Sequence, residues 1–152
     1  MNSSVRNLLA ACVGAAAALA IALPLVPAGA TTTTTELRAQ MDGQQEVPPA
    51  SANGVGDAFV FGTPTDPRAL CYVLIVDQIR PATVAHIHRG VVGENGPVFV
   101  PLRAPSDGDS SGCVQLRERL VARILNNPQN WYVNVHNRPF PDGAIRGQLA
   151  AN

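Results

Sequence analysis

Three histidines are the side chains of this sequence best suited to bind a transition metal. His86 and His88 stand two residues apart in a β-like segment, so both imidazoles leave the same face of a sheet. His136 ends a second β-like segment. Three imidazoles on neighbouring strand ends could hold zinc or copper and leave one coordination position open. Alternatively, the histidines only form hydrogen bonds with loop carbonyls or with Asp and Asn side chains, and the sequence leaves both interpretations open.

A polar loop rich in Asp, Ser and Gly offers a different kind of metal site, for calcium. Asp107, Asp109 and Ser111 stand at the first, third and fifth positions of a calcium-loop pattern, where oxygen ligands are expected. Gly112 and Glu118 follow at the sixth and twelfth positions, which require a sharp turn and a bidentate carboxylate. Prolines precede this loop where the entering helix of such a motif belongs, so an ordinary turn is the alternative.

Length, charge and motifs restrict the class of protein. A chain of 152 residues fits a single domain. Its 11 basic residues, all arginine, balance 11 acidic ones, and zero net charge argues against a nucleic-acid-binding protein. The sequence has no phosphate-binding glycine loop after a strand. Glu46 and Arg146 are single charges beside apolar segments, and they either form an ion pair across the sheet or mark a binding face.

Residues 1–30 have the pattern of a secretory signal peptide. Arg6 provides the positive start, Leu8–Val26 the apolar stretch, and an Ala-Gly-Ala sequence ending at Ala30 the small residues that signal peptidase accepts. We expect cleavage after Ala30, which gives a secreted or extracytoplasmic protein with no transmembrane span. An uncleaved membrane anchor is the alternative, because the apolar stretch approaches the roughly 18–20 residues that cross a bilayer. A lipoprotein-like box at Leu9–Cys12 comes too early to favour lipidation.

Two cysteines, Cys71 and Cys113, would be left after this cleavage. An even number of cysteines in an exported chain predicts one disulfide. The loop that it closes would stabilise the fold by roughly 3–4 kcal/mol in the chain-entropy description. Two separate buried thiols are the alternative.

The rest of the chain predicts one all-β domain over residues 36–152, preceded by a Thr-rich leader at 31–35. Short β-like segments alternate with turns rich in Gly, Pro, Asn and Asp. An apolar stripe from Leu116 to Leu125 predicts one helix, which Asn127-Pro128 ends. This succession is typical of a β-sandwich or barrel. The predicted strands are Leu37–Met41, Gly54–Phe61, Leu70–Val76, Val84–His88, Val98–Leu102, Trp131–His136 and Ala144–Leu149.

Six sequence blocks occur in order along the predicted domain: Gly43–Pro49, Leu70–Tyr72, Ala85–Gly90, Gly96–Val98, Tyr132–His136 and Gly143–Leu149. Together they resemble the CHRD domain, a family named after chordin. The resemblance covers about residues 36–150. It implies an immunoglobulin-like Greek-key barrel or sandwich that is distantly similar to copper/zinc superoxide dismutase.

The same resemblance limits the metal chemistry. The pair His86-x-His88 is similar to the copper-binding pair of that dismutase, and His136 is similar to its late strand histidine. The chain has only 3 histidines, too few for the two-metal site of the enzyme. A single three-histidine site remains compatible with the sequence.

These observations favour a non-enzymatic binding module that recognises a partner protein, an envelope component or a metal. The alternative is a redox metalloprotein with copper or zinc on His86, His88 and His136. Calcium-dependent adhesion through Asp107, Asp109, Ser111 and Glu118 is the third interpretation.

Overall fold

The computed structural model describes residues 35–152. The predicted signal peptide, residues 1–30, lies outside the described residues, as does all of the Thr-rich leader except Thr35. No helix in residues 35–152 combines the length and the apolar character needed to cross a membrane.

The described chain forms nine antiparallel strands and one short α-helix. The strands follow from a two-residue apolar alternation: in β1, for example, Leu37, Ala39 and Met41 are buried and the residues between them are not. The strands are β1 (Glu36–Asp42), β2 (Val55–Thr63), β3 (Asp66–Asp77), β4 (Ala82–Arg89), β5 (Val98–Leu102), β6 (Asp109–Gln115), β7 (Trp131–Asn137), β8 (Ile145–Gln148) and β9 (Ala150–Ala151). The helix α1 spans Glu118–Asn126, and one 3-10 turn at Pro128–Asn130 follows it.

All nine strands belong to one sheet that curls into a nearly closed barrel. The order across the sheet is β5-β4-β7-β8-β1-β2-β3-β6, and β9 pairs with β1. Strands far apart in sequence therefore become neighbours, above all β4 and β7, which carry the three histidines. The all-β prediction with one short helix is confirmed.

One hydrophobic core fills the barrel, and α1 covers part of it. Val121 and Ile124 are the buried residues of α1, which packs against β3. The helix ends at Asn126, before Pro128, as the sequence predicts. The largest fully buried apolar side chains come from the helix, from seven strands and from the residue between β8 and β9. They are Leu37, Val60, Leu70, Leu74, Ile87, Val100, Ile124, Val133, Val135, Ile145 and Leu149.

The disulfide prediction is confirmed. Cys71 of β3 and Cys113 of β6 stand directly opposite each other in the strand register, with 3.9 Å between their Cα atoms. The bond therefore ties an edge strand of the sheet to its only neighbour within the described residues.

The sequence patterns do not predict strand β6, because its small and polar residues are typical of a loop, either a calcium loop or an ordinary turn. Asp109 and Ser111 lie in this extended strand, and Ser111 pairs with Val73 of β3. Glu118 is the first residue of α1. A calcium loop needs a backbone that coils around one point, whereas here the backbone is extended from Asp109. The carboxylates of Asp107, Asp109 and Glu118 form no cluster among residues 35–152, so the geometry gives the calcium interpretation no support.

Candidate functional site

The three histidines lie on one polar face of strands β4, β7 and β8. His86 stands opposite Asn134 in the register, and Asn134 stands opposite Arg146 on β8. The alternate positions point into the core, as Ile87 and Val133 do with no exposed surface. Strand alternation therefore separates an apolar inner face from a polar face that carries the candidate site.

His136 reaches the other two histidines through a diagonal contact. It pairs with Val84, not with His86, and the register between β4 and β7 shifts between Ala82 and Val84. Diagonal neighbours on one face of a sheet remain within reach of long and aromatic side chains. His86 Nδ1 lies 3.3 Å from His136 Nε2 as a result.

One ligand atom from each histidine lies within 4.8 Å of the others. Nitrogens bound to one tetrahedral ion at 2.0–2.1 Å are about 3.3 Å apart. His86 and His136 already have this spacing. The widest separation must contract by about 1.5 Å, a displacement that small side-chain rotations produce. The three side chains therefore meet the basic requirement for a shared ion.

Hydrogen bonds to backbone carbonyls determine which nitrogen of two histidines carries the proton. His88 Nδ1 lies 2.9 Å from the carbonyl oxygen of Gly96, and His136 Nδ1 lies 2.9 Å from that of Pro141. A carbonyl can only accept, so each Nδ1 must donate its proton. Each Nε2 of a neutral ring is then a bare lone pair. His88 is buried, and its Nε2 has no hydrogen-bond partner among the described residues.

Metal-binding histidines typically donate the second ring N–H to a carbonyl or a carboxylate, which orients the ring and fixes the tautomer. The two interpretations of the sequence, carbonyl hydrogen bonds and metal ligation, therefore describe the same arrangement. In His88 and His136, Nδ1 makes the carbonyl hydrogen bond, and Nε2 is left as the potential metal ligand.

Burial lowers the pKa of all three histidines from the ordinary value of 6.5. For His86, the positive charges that His136 and His88 would carry lower the pKa further. For His88 and His136, the carbonyl hydrogen bonds oppose the effect of burial, as Asp142 does for His136, while Arg146 reinforces it. Neutral imidazoles are the form that binds metals, and this environment favours them.

Glu46 and Arg146 form an ion pair on this face, which agrees with the ion-pair interpretation of these two charges. Glu46 Oε2 accepts a hydrogen bond of 2.7 Å from Arg146 Nε, and both side chains are at least nine-tenths buried. Burial raises the pKa of Glu46, and the hydrogen bond and charge of Arg146 oppose this rise. The pair connects the loop between β1 and β2 to strand β8.

Tyr132 joins the ion pair to the histidines, and the sequence did not single it out. Its ring stacks on His88 with centroids 4.8 Å apart, and the Arg146 guanidinium lies 4.6 Å from its centre. Its place two residues before Asn134 and four before His136 puts it on the histidine face. The carbonyls of Gly96 and Pro141 carry no signal in the sequence, since every residue has a carbonyl.

Taken together, the fold and the site define an antiparallel β-barrel with a three-histidine cluster that is suited to metal binding. The sequence model of the CHRD domain matches residues 37–149, and the chain therefore belongs to the CHRD domain family. This result confirms the resemblance seen in the sequence. No curated protein and no solved structure matches the chain.

Proposed function

We propose that this protein is an exported binding module that holds one copper or zinc ion on three imidazoles. The ligand atoms are His86 Nδ1, His88 Nε2 and His136 Nε2. In the metal-free protein His86 Nδ1 donates to His136 Nε2, so binding of the ion requires the proton of His86 to move to its Nε2. One observation carries the proposal: the buried Nε2 of His88 is without a partner among the described residues, while its Nδ1 is committed to Gly96. A buried polar atom without a hydrogen bond costs about 1–3 kcal/mol, and a metal ion would remove this cost.

The ligand chemistry supports copper or zinc over harder cations. Imidazole suits zinc and copper, whereas calcium and magnesium prefer oxygen ligands. Residues 35–152 provide no free thiolate ligand, because Cys71 and Cys113 are bonded to each other. His86 is only half-buried, so solvent or a small ligand can reach a fourth coordination position. Three histidines support one ion, not a two-metal centre.

Export is the second part of the proposal. The signal-like segment over residues 1–30 supports it, and so does the disulfide, since disulfides persist in oxidising compartments outside the cytoplasm. The mature domain would begin after Ala30 and meet metal ions outside the cytoplasm.

Binding is favoured over catalysis because the site contains metal ligands but no nucleophile with its base. The polar groups around the histidines, such as Asn134, Arg146 and Tyr132, are buried within the protein. A redox copper protein is the second candidate, and the half-buried position of His86 favours it, because an oxidant or reductant could approach the ion from that side.

Metal analysis of the exported protein tests the proposal. We expect about one equivalent of copper or zinc in the protein as purified, and nitrogen hyperfine structure from three imidazoles in the electron paramagnetic resonance spectrum of the Cu(II) form. His86→Ala should lose the ion, because it removes one of three ligands from a half-buried position.

Arg38→Ala is the matched control, since Arg38 belongs to the other salt bridge of the described chain, an exposed pair with Asp57 on strands β1 and β2. It should retain the metal. Substoichiometric metal after incubation with copper or zinc, or full retention in His86→Ala, would overturn the metal site. Reduction and reoxidation of bound copper by small molecules over many cycles would favour the redox candidate.

A further inference from the structure

We propose that Tyr132 and Arg146 are positioning residues that hold the segment Glu94–Gly96 and, through it, fix the tautomer of His88. The segment precedes β5 and passes over the polar face that carries the histidines. The expected effect on metal affinity rests on the proposed function, whereas the hydrogen bonds that support the positioning role are present without an ion.

Gly96 makes the direct contact. Its carbonyl accepts the hydrogen bond of 2.9 Å from His88 Nδ1, and its N–H donates one of 3.1 Å to the hydroxyl oxygen of Tyr132. A Cβ at this position would lie 1.6 Å from the carbonyl oxygen of Arg89, so only glycine fits. The peptide groups of Gly96 thus connect His88 to Tyr132 at a point where the backbone is closely packed.

Arg146 holds the two residues before Gly96. Its Nη1 donates a hydrogen bond of 3.1 Å to the carbonyl oxygen of Glu94, and its Nη2 donates one to Asn95 Oδ1. The Asn95 amide continues the connection with a bond of 2.7 Å to the carbonyl of Val47. The ion pair with Glu46 orients the guanidinium from its other side. Three consecutive residues of the segment are therefore fixed by side chains that are themselves held in place.

The Tyr132 ring also restricts the plane of His88. The two rings are 4.8 Å apart and inclined by only 11°, and the guanidinium of Arg146 packs on the same tyrosine. The hydrogen bond selects the Nδ1–H tautomer, while the stack sets the direction of the bare Nε2. Loss of this arrangement would leave His88 free to protonate at Nε2, the atom assigned to the metal. Outer partners of metal-bound histidines typically change metal affinity by 10–100-fold.

Tyr132→Phe tests this role, because it removes the hydroxyl and keeps the ring. Tyr72→Phe is a matched control: Tyr72 is equally buried, and its hydroxyl oxygen accepts a hydrogen bond of 2.9 Å from the N–H of Arg103, away from the histidines. Asn95→Ala is a second test at an exposed residue, where the substitution leaves the core intact.

The first readout needs no metal. Long-range ¹⁵N–¹H spectra of the metal-free protein should show His88 with its proton on Nδ1 in the wild type and in Tyr72→Phe. In Tyr132→Phe and Asn95→Ala the signals should move towards a mixture of tautomers. The second readout is the affinity for zinc, which should fall by about 10-fold in these two variants and stay within 2-fold in the control.

Two results would overturn the inference: an unchanged tautomer in both Tyr132→Phe and Asn95→Ala, or a zinc affinity that falls equally in Tyr72→Phe. Failure of the proposed function is distinguishable, since a wild-type protein that binds neither zinc nor copper would still report the tautomer of His88. A tautomer that responds to Tyr132→Phe in such a protein would keep the positioning role and reject the metal.

Discussion

Zinc should raise the thermal stability of the protein, and the size of the increase can be worked out. An ion that binds only the folded state at 100 times its Kd adds about 2.7 kcal/mol to the free energy of unfolding. A domain of the length of residues 35–152 has an unfolding entropy of about 0.25 kcal/mol per kelvin near 60 °C. The midpoint of thermal unfolding should therefore rise by about 11 °C.

Differential scanning calorimetry at neutral pH measures this shift, with the free zinc concentration set from a separate titration. His86→Ala should reduce the shift to below about 2 °C at the same zinc concentration, because two histidines hold the ion far less tightly. Magnesium is the chemical control, since it prefers oxygen ligands and should leave the midpoint unchanged. A zinc shift of equal size in His86→Ala, or an equal shift with magnesium, would refute the assignment of the ion to these three histidines.

Three further predictions concern stability. Replacing both Cys71 and Cys113 by Ala should lower the free energy of unfolding in urea by about 4 kcal/mol, because the bond joins residues 42 positions apart; a loss below 1 kcal/mol would contradict this account. Ile87→Ala should lower the free energy of unfolding by about 2–5 kcal/mol, since Ile87 is fully buried. Ile75→Ala is the control and should cost much less, because Ile75 is 49% exposed. Equal losses in the two variants would contradict the assignment of Ile87 to the core. Burial lowers the pKa of the histidines below 6.5, so the unfolded state binds more protons than the folded state. The free energy of unfolding of the metal-free protein should therefore fall as the pH drops below about 6.5, by up to about 1.4 kcal/mol per pH unit for each histidine. His86→Ala should show a shallower pH dependence in urea titrations, and an unchanged slope would count against the lowered pKa of that residue.

Local patterns in the sequence were enough for most of the secondary structure. The alternation around Leu37 predicts β1, and the apolar stripe before Asn127-Pro128 predicts α1, because both depend on the repeat of a single element. The pattern failed at β6, where Asp, Ser and Gly fill an edge strand. An edge strand needs little apolar surface of its own, since its backbone pairs with β3 and the disulfide holds it there.

The sequence by itself determined that His86 and His88 share a face, since a two-residue spacing on a strand has no other outcome. It also supplied Cys71 and Cys113 as the two cysteines of the described residues, 35–152. Whether His136 joins the other two histidines was decided by the pairing of β4 with β7 and by the register shift after Ala82, which are long-range backbone contacts.

Only the tertiary structure decided which nitrogen atoms face the candidate ion. The partners of His88 and His136 are the carbonyls of Gly96 and Pro141, groups that every residue carries and that no pattern of side chains can specify. The pairing of Glu46 with Arg146 likewise depends on a long-range contact, between the loop after β1 and strand β8, which are 100 residues apart in the sequence. The sequence could name the candidate ligands because their chemistry is in their side chains, whereas their tautomers depend on backbone atoms that folding brings alongside.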